Sequence, residues 1–451
     1  MANTYLSRTS TATGSATKAT FSAWVKRSGI SNDYPRLLSI LPSANNAFEI
    51  FFRNTDILEI KVKFNGATRA DLQTNRVFRD TSAWYHILVS VDSTSGTADD
   101  RVRLYVNGVQ ETSFGTRVNP DQNANMKINA SGETSQIGAE IANSSSNLFN
   151  GYMNNVAWVD GTALTPTSFG ETDSASGIWK YKSPSGITWG TNGFHLKMDN
   201  SANLGLDSSG ETNNFTLSGD GRQAKDTPTN SYATLNPLDN FYSASTFANG
   251  NTSQTSNASN YGWVVSTLGI TSGKFYAECK QTGFSGSSNY NLIGVASYQN
   301  TTTAQFLGES AGSASYYAQG EIYNGNGTDI GSMPTYTTND IIGVAVDLDN
   351  NFIYWHKNGV YINSGNPTSG SSGTGGLALT ASSSTSLGAY FFGSGDYGTS
   401  LVVNNSWNFG NGYFGTTAIT SAGSNGNGSL FEYDVPSGYY ALNTKNINTY
   451  G

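Results

Sequence analysis

Residues 102–110 read VRLYVNGVQ, and residues 352–362 read FIYWHKNGVYI. Each stretch places an Asn-Gly pair between two runs in which aromatic and aliphatic residues alternate with polar ones. A type I′ turn needs positive φ at both central positions, which asparagine tolerates and glycine adopts freely, so Asn-Gly in this setting predicts a two-residue β-hairpin. One hairpin is therefore expected in each half of the chain.

The sequences around the two hairpins indicate different modules. WYHILVSVDSTSGTADDR (84–101) does not align with DIIGVAVDLDN (340–350), and no segment recurs at the fixed period that a propeller or solenoid requires. Short strand-like runs such as TFSAWVK (20–26) and NLIGVAS (291–297) follow one another quickly, without a helical period of useful length. The sequence thus predicts an all-β protein of two tandem antiparallel sandwiches with very little helix.

The composition supports an all-β protein and indicates where one sandwich ends and the other begins. Charged residues make up 12% of the 451 residues, aromatics another 12%, and there are 51 glycines, a mixture suited to strands joined by many turns. Residues 201–240 are rich in turn formers and hold two of the ten prolines. We therefore predict a first sandwich over 1–200, a linker over 201–240, and a second sandwich with a C-terminal extension over 241–451.

Several classes of function are disfavoured by composition. The formal charge is −8 without any block of Lys and Arg, so a nucleic acid partner is not expected. The single cysteine, Cys279, allows neither an internal disulfide nor a cysteine-based metal cluster. The amino terminus lacks the apolar core of a signal peptide, and no run approaches the roughly 18 apolar residues of a membrane span. We expect synthesis in a cytoplasm and no membrane insertion.

The first half resembles the laminin-G-like, concanavalin A-like jelly roll. The residues that carry this resemblance are TFSAWVKR (20–27), WYHI (84–87) with the hairpin RVRLYVNG (101–108), and FNGYMNNVAWVDGTALTPTSF (149–169).

The second half looks like a SPRY (B30.2) sandwich, by its segments GKFYAE (273–278), NLIGVAS (291–297) and IIGVAVDLDNNFIYWHKNGVYI (341–362). The stretch DTPTNSYATLNPLD (226–239) is similar to segments of marine bacteriophage virion proteins that join these two modules.

The resemblance implies a virion protein, a tail or head fibre or decoration, whose sandwiches bind host cell-surface glycan for attachment. Its expected partners are other virion proteins and that glycan, its expected location is the virion surface, and its expected state is a homo-oligomer, with a trimer as one candidate because phage fibres are commonly trimeric. Two alternatives remain open: a purely structural capsid or tail cement without ligand, and a polysaccharide depolymerase.

Catalytic residues are not expected. Glycoside hydrolysis needs two facing carboxyl groups, and no predicted strand carries the acid-x-acid-x-acid pattern that would line them up on one face. Glu171 with Asp173 and Asp347 with Asp349 are spaced as acid-x-acid, but they fall in a turn and at a strand end. The three histidines, His86, His195 and His356, each lie in a strand, and no nucleophile elbow accompanies them. We therefore predict a protein that is not an enzyme and has no organic cofactor.

Calcium is the one metal that the sequence brings into question. Jelly rolls of this kind often hold Ca²⁺ on a rim loop, and Asp92, Asp99 and Asp100 flank the loop DSTSGTADD (92–100), from which they could supply carboxylate ligands. The alternative is a solvated turn without metal.

Ligand-binding candidates are the tyrosines in Gly- and Ser-rich segments, which an apolar core does not obviously claim. Tyrosine on the loops of a rigid scaffold gives a large contact area at low entropic cost. The candidates are Tyr290, Tyr316, Tyr317 and Tyr336. The alternative is that they pack the loops against the scaffold.

Overall fold

The computed structural model describes residues 3–30, 33–43, 45–141, 146–240, 243–257, 260–299, 305–325, 329–398 and 401–451. The chain divides into two compact units, Met1–Gln223 and Ala224–Gly451. Within the described ranges, regular structure is almost entirely β: five one-turn 3₁₀ helices and one short α-helix, Thr444–Tyr450, are the exceptions. No helix in this part of the chain has the length and apolar character needed to cross a bilayer.

The strands of the first unit are β1 (Tyr5–Thr9), β2 (Lys18–Arg27), β3 (Arg36–Ser43), β4 (Asn46–Phe52), β5 (Ile57–Phe64), β6 (Ala67–Val77), β7 (Tyr85–Asp92), β8 (Val102–Val106), β9 (Val109–Gln110), β10 (Phe114–Val118), β11 (Thr134–Ile137), β12 (Gly151–Asp160), β13 (Gly170–Thr172), β14 (Trp179–Tyr181), β15 (Phe194–Leu196) and β16 (Thr216–Ser218).

Two sheets make up the body of the first unit. The larger has the order β10-β6-β5-β4-β3-β11-β1-β16 and the smaller the order β15-β12-β2-β7-β8-β9, while β13 and β14 form a separate pair. Alternate residues of each strand, such as Phe21 and Val25 in β2 or Phe48 and Ile50 in β4, point into one shared apolar core. This alternation produces the layered sandwich that the strand patterns predict.

The strands of the second unit are β17 (Thr246–Ala248), β18 (Ser253–Thr255), β19 (Trp263–Val265), β20 (Lys274–Phe284), β21 (Asn291–Ala296), β22 (Ser313–Tyr317), β23 (Glu321–Tyr323), β24 (Asp329–Ile330), β25 (Ile341–Asp347), β26 (Phe352–Lys357), β27 (Val360–Tyr361), β28 (Leu377–Ala378), β29 (Phe391–Asp396), β30 (Val403–Asn408), β31 (Tyr413–Phe414), β32 (Thr417–Ala418) and β33 (Tyr440–Ala441).

The second unit is also a two-sheet sandwich. One sheet follows the order β17-β18-β30-β20-β25-β26-β27, with β28 beside β26 and β33 beside β20, and the other follows β19-β29-β21-β22-β23-β24. Between them lies a core that includes Trp355 and Trp407, each at most 2% exposed. Every described strand pair is antiparallel apart from β20 with β33, so the predicted fold of tandem antiparallel sandwiches with little helix is confirmed.

Both Asn-Gly hairpins form as predicted. φ is 48° and 81° at Asn107 and Gly108, and 49° and 84° at Asn358 and Gly359, the pattern of a type I′ turn. Each asparagine also binds the neighbouring strand of the sheet. The backbone N–H of His86 in β7 donates to Oδ1 of Asn107 at 2.8 Å, and that of Ile341 in β25 donates to Oδ1 of Asn358 at 2.8 Å. The motif therefore sets both the turn and its attachment to the sheet.

The stretch predicted as a linker, 201–240, belongs to the two units themselves. Phe215 enters the first core and Thr216–Ser218 pairs with β1, whereas Leu235 enters the second core. The boundary lies between Gln223 and Ala224. The turn-forming composition of this stretch reflects short strands and bends inside both sandwiches instead of a separate connector.

Candidate functional site

Strand alternation separates two of the candidate tyrosines. Tyr316 and Tyr317 end β22, a strand where the Gly- and Ser-rich sequence predicts a loop. Tyr316 points into the core between the sheets and is 0% exposed, and its hydroxyl donates to the carbonyl of Pro334. The prediction of Tyr316 as an accessible ligand contact is therefore wrong, because the small Ser and Ala residues of β22 let this segment pair within the sheet.

Tyr336 is likewise a core residue. It is 2% exposed, its ring packs against that of Tyr316 at 4.9 Å between centroids, and its hydroxyl lies 2.9 Å from the carbonyl oxygen of Asn291. Burial raises the pKa of Tyr336 well above its usual value. The prediction of Tyr336 as an accessible ligand contact is therefore wrong, because its ring packs in the core and its hydroxyl finds its partners inside the protein.

Tyr317 and Tyr290 lie on the opposite, outward face of the same sheet. There they join other aromatic rings around Tyr397, which follows β29 directly. We call this group the tyrosine cluster. Its members are Tyr261, Tyr290, Phe306, Tyr317, Tyr323 and Tyr397.

Tyr397 is the hub of the tyrosine cluster. Its ring centroid lies 4.5 Å from Phe306, 5.3 Å from Tyr317, 5.9 Å from Tyr323 and 6.2 Å from Tyr290, in the tilted, edge-on and offset arrangements that aromatic pairs favour. Together these rings form a continuous aromatic surface.

Only part of the tyrosine cluster is covered by protein. Tyr317 and Tyr323 are buried, while Tyr261, Tyr290 and Tyr397 are half-buried and form its open side. Within the described ranges, the hydroxyls of Tyr290, Tyr317 and Tyr397 make no hydrogen bond to the protein. The cluster therefore offers aromatic surface together with hydroxyl groups able to exchange hydrogen bonds with a ligand.

The strand β29 explains why the rings gather here. Its outward positions Gly393 and Gly395 carry no side chain, and a Cβ on Gly395 would lie 2.2 Å from the Cβ of Trp263. Trp263 can thus lie directly over the sheet, where its indole N–H donates to the carbonyl of Gln305 at 2.8 Å. Glycine on this face creates the space that neighbouring aromatic side chains fill.

A buried carboxyl group lies next to the hub. Asp396 is 0% exposed; its Oδ1 accepts from the N–H groups of Gly398 at 3.2 Å and Gly262 at 3.4 Å. Its Oδ2 has no hydrogen-bond partner among the described residues. Burial accordingly raises the pKa of Asp396 to about 7.

A second perturbed acid in this unit belongs to a structural network. The Tyr276 hydroxyl donates to Glu278 at 2.9 Å and lies 2.7 Å from Nε2 of His356. The backbone N–H groups of Glu432 and Tyr433 also donate to Glu278, at 2.8 and 2.9 Å. Burial raises the pKa of Glu278 to about 7, but the C-terminal segment covers the carboxyl group, so the network fastens that segment and presents no reactive surface.

The three candidate metal ligands in the first unit are not brought together. Lys18 pairs with Asp92, Arg117 with Asp99 and Arg103 with Asp100, each at 3.0 Å. Across the part of the chain that the structure describes, no group of three His, Cys, Asp or Glu side chains is placed to hold a metal. The structure therefore adds no support for this calcium site, since each of the three carboxylates is paired with a cation of its own.

Acidic side chains from different strands share one face of a sheet, where lysine and arginine side chains separate them. On the outer face of the larger sheet of the first unit, Glu49 lies opposite Lys61, and Lys61 opposite Asp71. Glu59, which is 0% exposed, accepts from Arg53 at 2.5 Å and from Lys61 at 3.1 Å. This ladder of alternating charge binds the strands together. It leaves Glu59 with both oxygens bound to cations, which does not suit a general acid.

The histidines are also occupied. The ring of His86 stacks between Trp24 and Trp179, with centroids at 4.9 and 6.0 Å, and accepts from the Trp179 indole N–H at 3.0 Å. Burial lowers the pKa of His86 to about 3, that of His195 to about 4 and that of His356 to about 3. All three histidines are buried and held by aromatic rings or hydrogen bonds from neighbouring side chains.

Comparison with known families gives a match within the first unit. Residues 2–168 match the family model of the concanavalin A-like lectin/glucanases superfamily, laminin G type. The predicted jelly roll is thereby confirmed. A comparison with curated protein sequences gives no match.

Solved structures similar to the chain include two human SPRY domains. That of HERC1 is 15% identical with a TM-score of 0.30, covering 38% of this chain and 96% of its own. The other is 17% identical with a TM-score of 0.26, covering 34% and 91%. A heptameric SAP-like pentraxin from Limulus polyphemus is 17% identical with a TM-score of 0.27, covering 36% and 71%. With TM-scores this low, none of these likenesses bears on function.

Proposed function

We propose that the protein is a non-catalytic binding protein that holds glycan through the tyrosine cluster of its second unit. The observation that carries this proposal is the half-open ring of tyrosines around Tyr397, several of whose hydroxyls have no partner in the described protein. Aromatic rings pack against the C–H faces of sugars, and free phenol hydroxyls exchange hydrogen bonds with sugar hydroxyls. The concanavalin A-like superfamily of the first unit supports a binding role for the chain as a whole.

We place this binding on the surface of a bacteriophage virion, where it serves host attachment. The similarity of residues 226–239 to segments of virion proteins supports this setting. So does a composition with 12% charged residues, in which polarity rests mainly on Ser, Thr and Asn, groups that suit neutral hydrogen bonding with sugars. On this proposal the protein forms a homo-oligomer and contacts other virion proteins.

The non-catalytic part of the proposal rests on the state of the candidate acids and bases. Glu59 and Glu49 on the sheet of the first unit are bound by cations. Glu278 lies beneath the C-terminal segment, and the histidines are enclosed by aromatic rings. Hydrolysis of a glycosidic bond would need two accessible carboxyl groups across a sugar, with one of them protonated.

The test compares single tyrosine variants on a glycan array and in adsorption of the purified protein to host cells. Tyr290→Ala removes a ring from the open side of the tyrosine cluster, where a sugar would pack, and we expect binding to weaken about tenfold or more, the loss on truncating a main aromatic contact. Tyr290→Phe keeps the ring and should lose less. Tyr450→Ala, which removes an exposed ring outside the cluster, is the matched control and should bind normally.

Each alternative function has its own outcome. A wild-type protein that binds no glycan and no host cell would support a cement role and overturn the proposal. Release of reducing ends from host polysaccharide by the purified protein would establish a depolymerase. Equal binding by Tyr290→Ala and wild type would remove the tyrosine cluster from the site even if the protein binds sugar.

A further inference from the structure

A polar groove opens on the first unit, beside the end of β1. Its volume is about 630 Å³, within the range of roughly 300–1,000 Å³ typical of small-molecule sites. Of its ten lining residues, six carry hydroxyl groups and two are asparagines; the others are Arg8 and Glu211. These walls are poor in apolar surface, so they match a ligand that is itself rich in hydroxyl groups.

Arg8 is held in the groove with unused hydrogen-bonding capacity. One terminal nitrogen donates to Oγ of Ser10 at 3.4 Å, and the other donates to Oδ1 of Asn213. Asn213 is itself fixed, because its Nδ2 donates to the carbonyls of Thr191 at 3.0 Å and Gly193 at 2.7 Å. A guanidinium has five N–H donors, so three remain for a ligand.

Arg8 also lacks an ionic partner. No carboxylate among the described residues lies within 4 Å of its guanidinium, although the Asp207 carboxylate nearby favours its charged form. Seven other arginines of this unit do form ion pairs. Leu6, two residues earlier on the same face of β1, belongs to the core, so the guanidinium lies at the edge of the apolar interior. Burial lowers the pKa of Arg8 from its ordinary value, and a bound anion would relieve that cost.

We propose that this groove binds an acidic sugar, with Arg8 receiving the carboxylate and the hydroxyl and amide walls receiving the ring hydroxyls. Arginine matches a carboxylate by two parallel N–H donors. Glu211, exposed at the groove, opposes a densely charged anion such as a sulfated or phosphorylated chain, and can accept from sugar hydroxyls. The groove is therefore fitted to one carboxylate on an otherwise neutral ring. This inference concerns the first unit and stands independently of the tyrosine cluster.

The experiment titrates the full chain with trimers of galacturonate, glucuronate and mannuronate and with a sialylated trisaccharide, at low salt, by calorimetry. The methyl ester of the best-binding acid is the matched neutral ligand. We expect at least one acid to bind and its ester to bind at least about tenfold more weakly. The Arg8 Nε–H resonance in the NMR spectrum should shift when the acid binds.

Three variants separate recognition from folding. Arg8→Gln should weaken binding of the acid about tenfold or more, and Arg8→Lys should recover only part of it, since lysine lacks the fork. Glu211→Gln alters an exposed residue that the fold does not need, and should tighten binding several-fold by removing a repulsive charge. The proposal would be overturned if all four acids fail to bind, or if acid and ester bind equally. It would also be overturned if neither Arg8→Gln nor Glu211→Gln changes binding.

Discussion

Asp396 gives the sharpest test of the second unit, because the replacement Asp396→Asn removes only its ability to ionise. The carboxyl group is fully buried, and its Oδ1 accepts from two backbone N–H groups at 3.2 and 3.4 Å. The Ser256 hydroxyl adds a further interaction, which offsets part of the effect of burial on the pKa of Asp396. Asparagine keeps Oδ1 and its donors. We expect the variant to change the dependence of stability on pH, while the fold stays the same.

The magnitude follows from the pKa of Asp396. Burial raises it from 3.8 to about 7, so the folded protein holds the proton more tightly than the unfolded chain does. Stability from this group is therefore present below about pH 4 and is lost as pH rises through about 7. A difference of about three units at about 1.4 kcal/mol each gives a loss of about 4 kcal/mol between pH 4 and pH 8.

The variant should not show this loss. Its new amide group lacks an acceptor where Oδ2 had no partner, which costs about 1 kcal/mol at every pH. Asp396→Asn should thus be slightly less stable than wild type at pH 4 and about 3 kcal/mol more stable at pH 8.

The assay is equilibrium urea unfolding at pH 4 and pH 8, read by pulse-labelled hydrogen exchange at one fixed pH. Peptides from β21 report on the second unit, and peptides from β7 in the first unit are the internal reference. Asp340→Asn is the matched variant: burial is the largest influence on Asp340, but hydrogen bonds led by that from Asn358 outweigh it and lower its pKa, so this variant should destabilise at pH 8. A stability difference between Asp396→Asn and wild type that does not change with pH would refute the reasoning.

Further predictions concern buried polar contacts in each unit. Asp56→Asn should destabilise the first unit by about 3–5 kcal/mol in denaturant unfolding, because it leaves Arg27, 1% exposed and paired at 2.9 Å, as a buried charge without its counter-ion; a cost below about 1 kcal/mol would contradict this. Tyr276→Phe should destabilise the second unit by about 1–3 kcal/mol, because the Gly359 N–H donates to Nδ1 of His356 and leaves the ring proton on Nε2, facing the lost hydroxyl. Unchanged protection of the C-terminal segment in hydrogen exchange would argue against that network.

The strands and hairpins could be predicted because their signals are local. Asn-Gly turns and alternating apolar residues lie within ten residues of one another, and both hairpins form as expected. The helix Thr444–Tyr450 was missed because it is only seven residues long and lacks an apolar period; its signal is the cap, in which Asn443 accepts from the N–H of Asn446 at 2.9 Å.

The candidate sites were less predictable because they depend on register between distant strands. Tyr317 and Tyr290 enter the tyrosine cluster, but nothing near them in sequence points to Tyr397, which follows them by 80 residues or more. Tyr316 was placed on a loop although alternation alone makes adjacent strand residues face opposite sides. The ladder of alternating charge in the first unit is not predictable for the same reason, since its acids come from different strands and no pattern within one strand indicates it.

Buried polar groups that lack a hydrogen-bond partner are expected at functional sites more than elsewhere in a fold. Most buried polar groups there are satisfied in pairs, such as Asn291 with Asn405 through two amide hydrogen bonds at 2.8 and 2.9 Å. Among the described residues of this unit, four side chains have a buried polar atom without a partner, and Asp396 is the one acid among them. The next residue in the chain is Tyr397, the hub of the tyrosine cluster. Hydrogen bonds from Ser256, Gly262 and Gly398 offset only part of the cost of burying this acid. A cost that stays partly uncompensated is expected where binding, and not stability, determines the residue. If Asp396→Asn stabilises the unit and weakens glycan binding together, the acid is kept for the site.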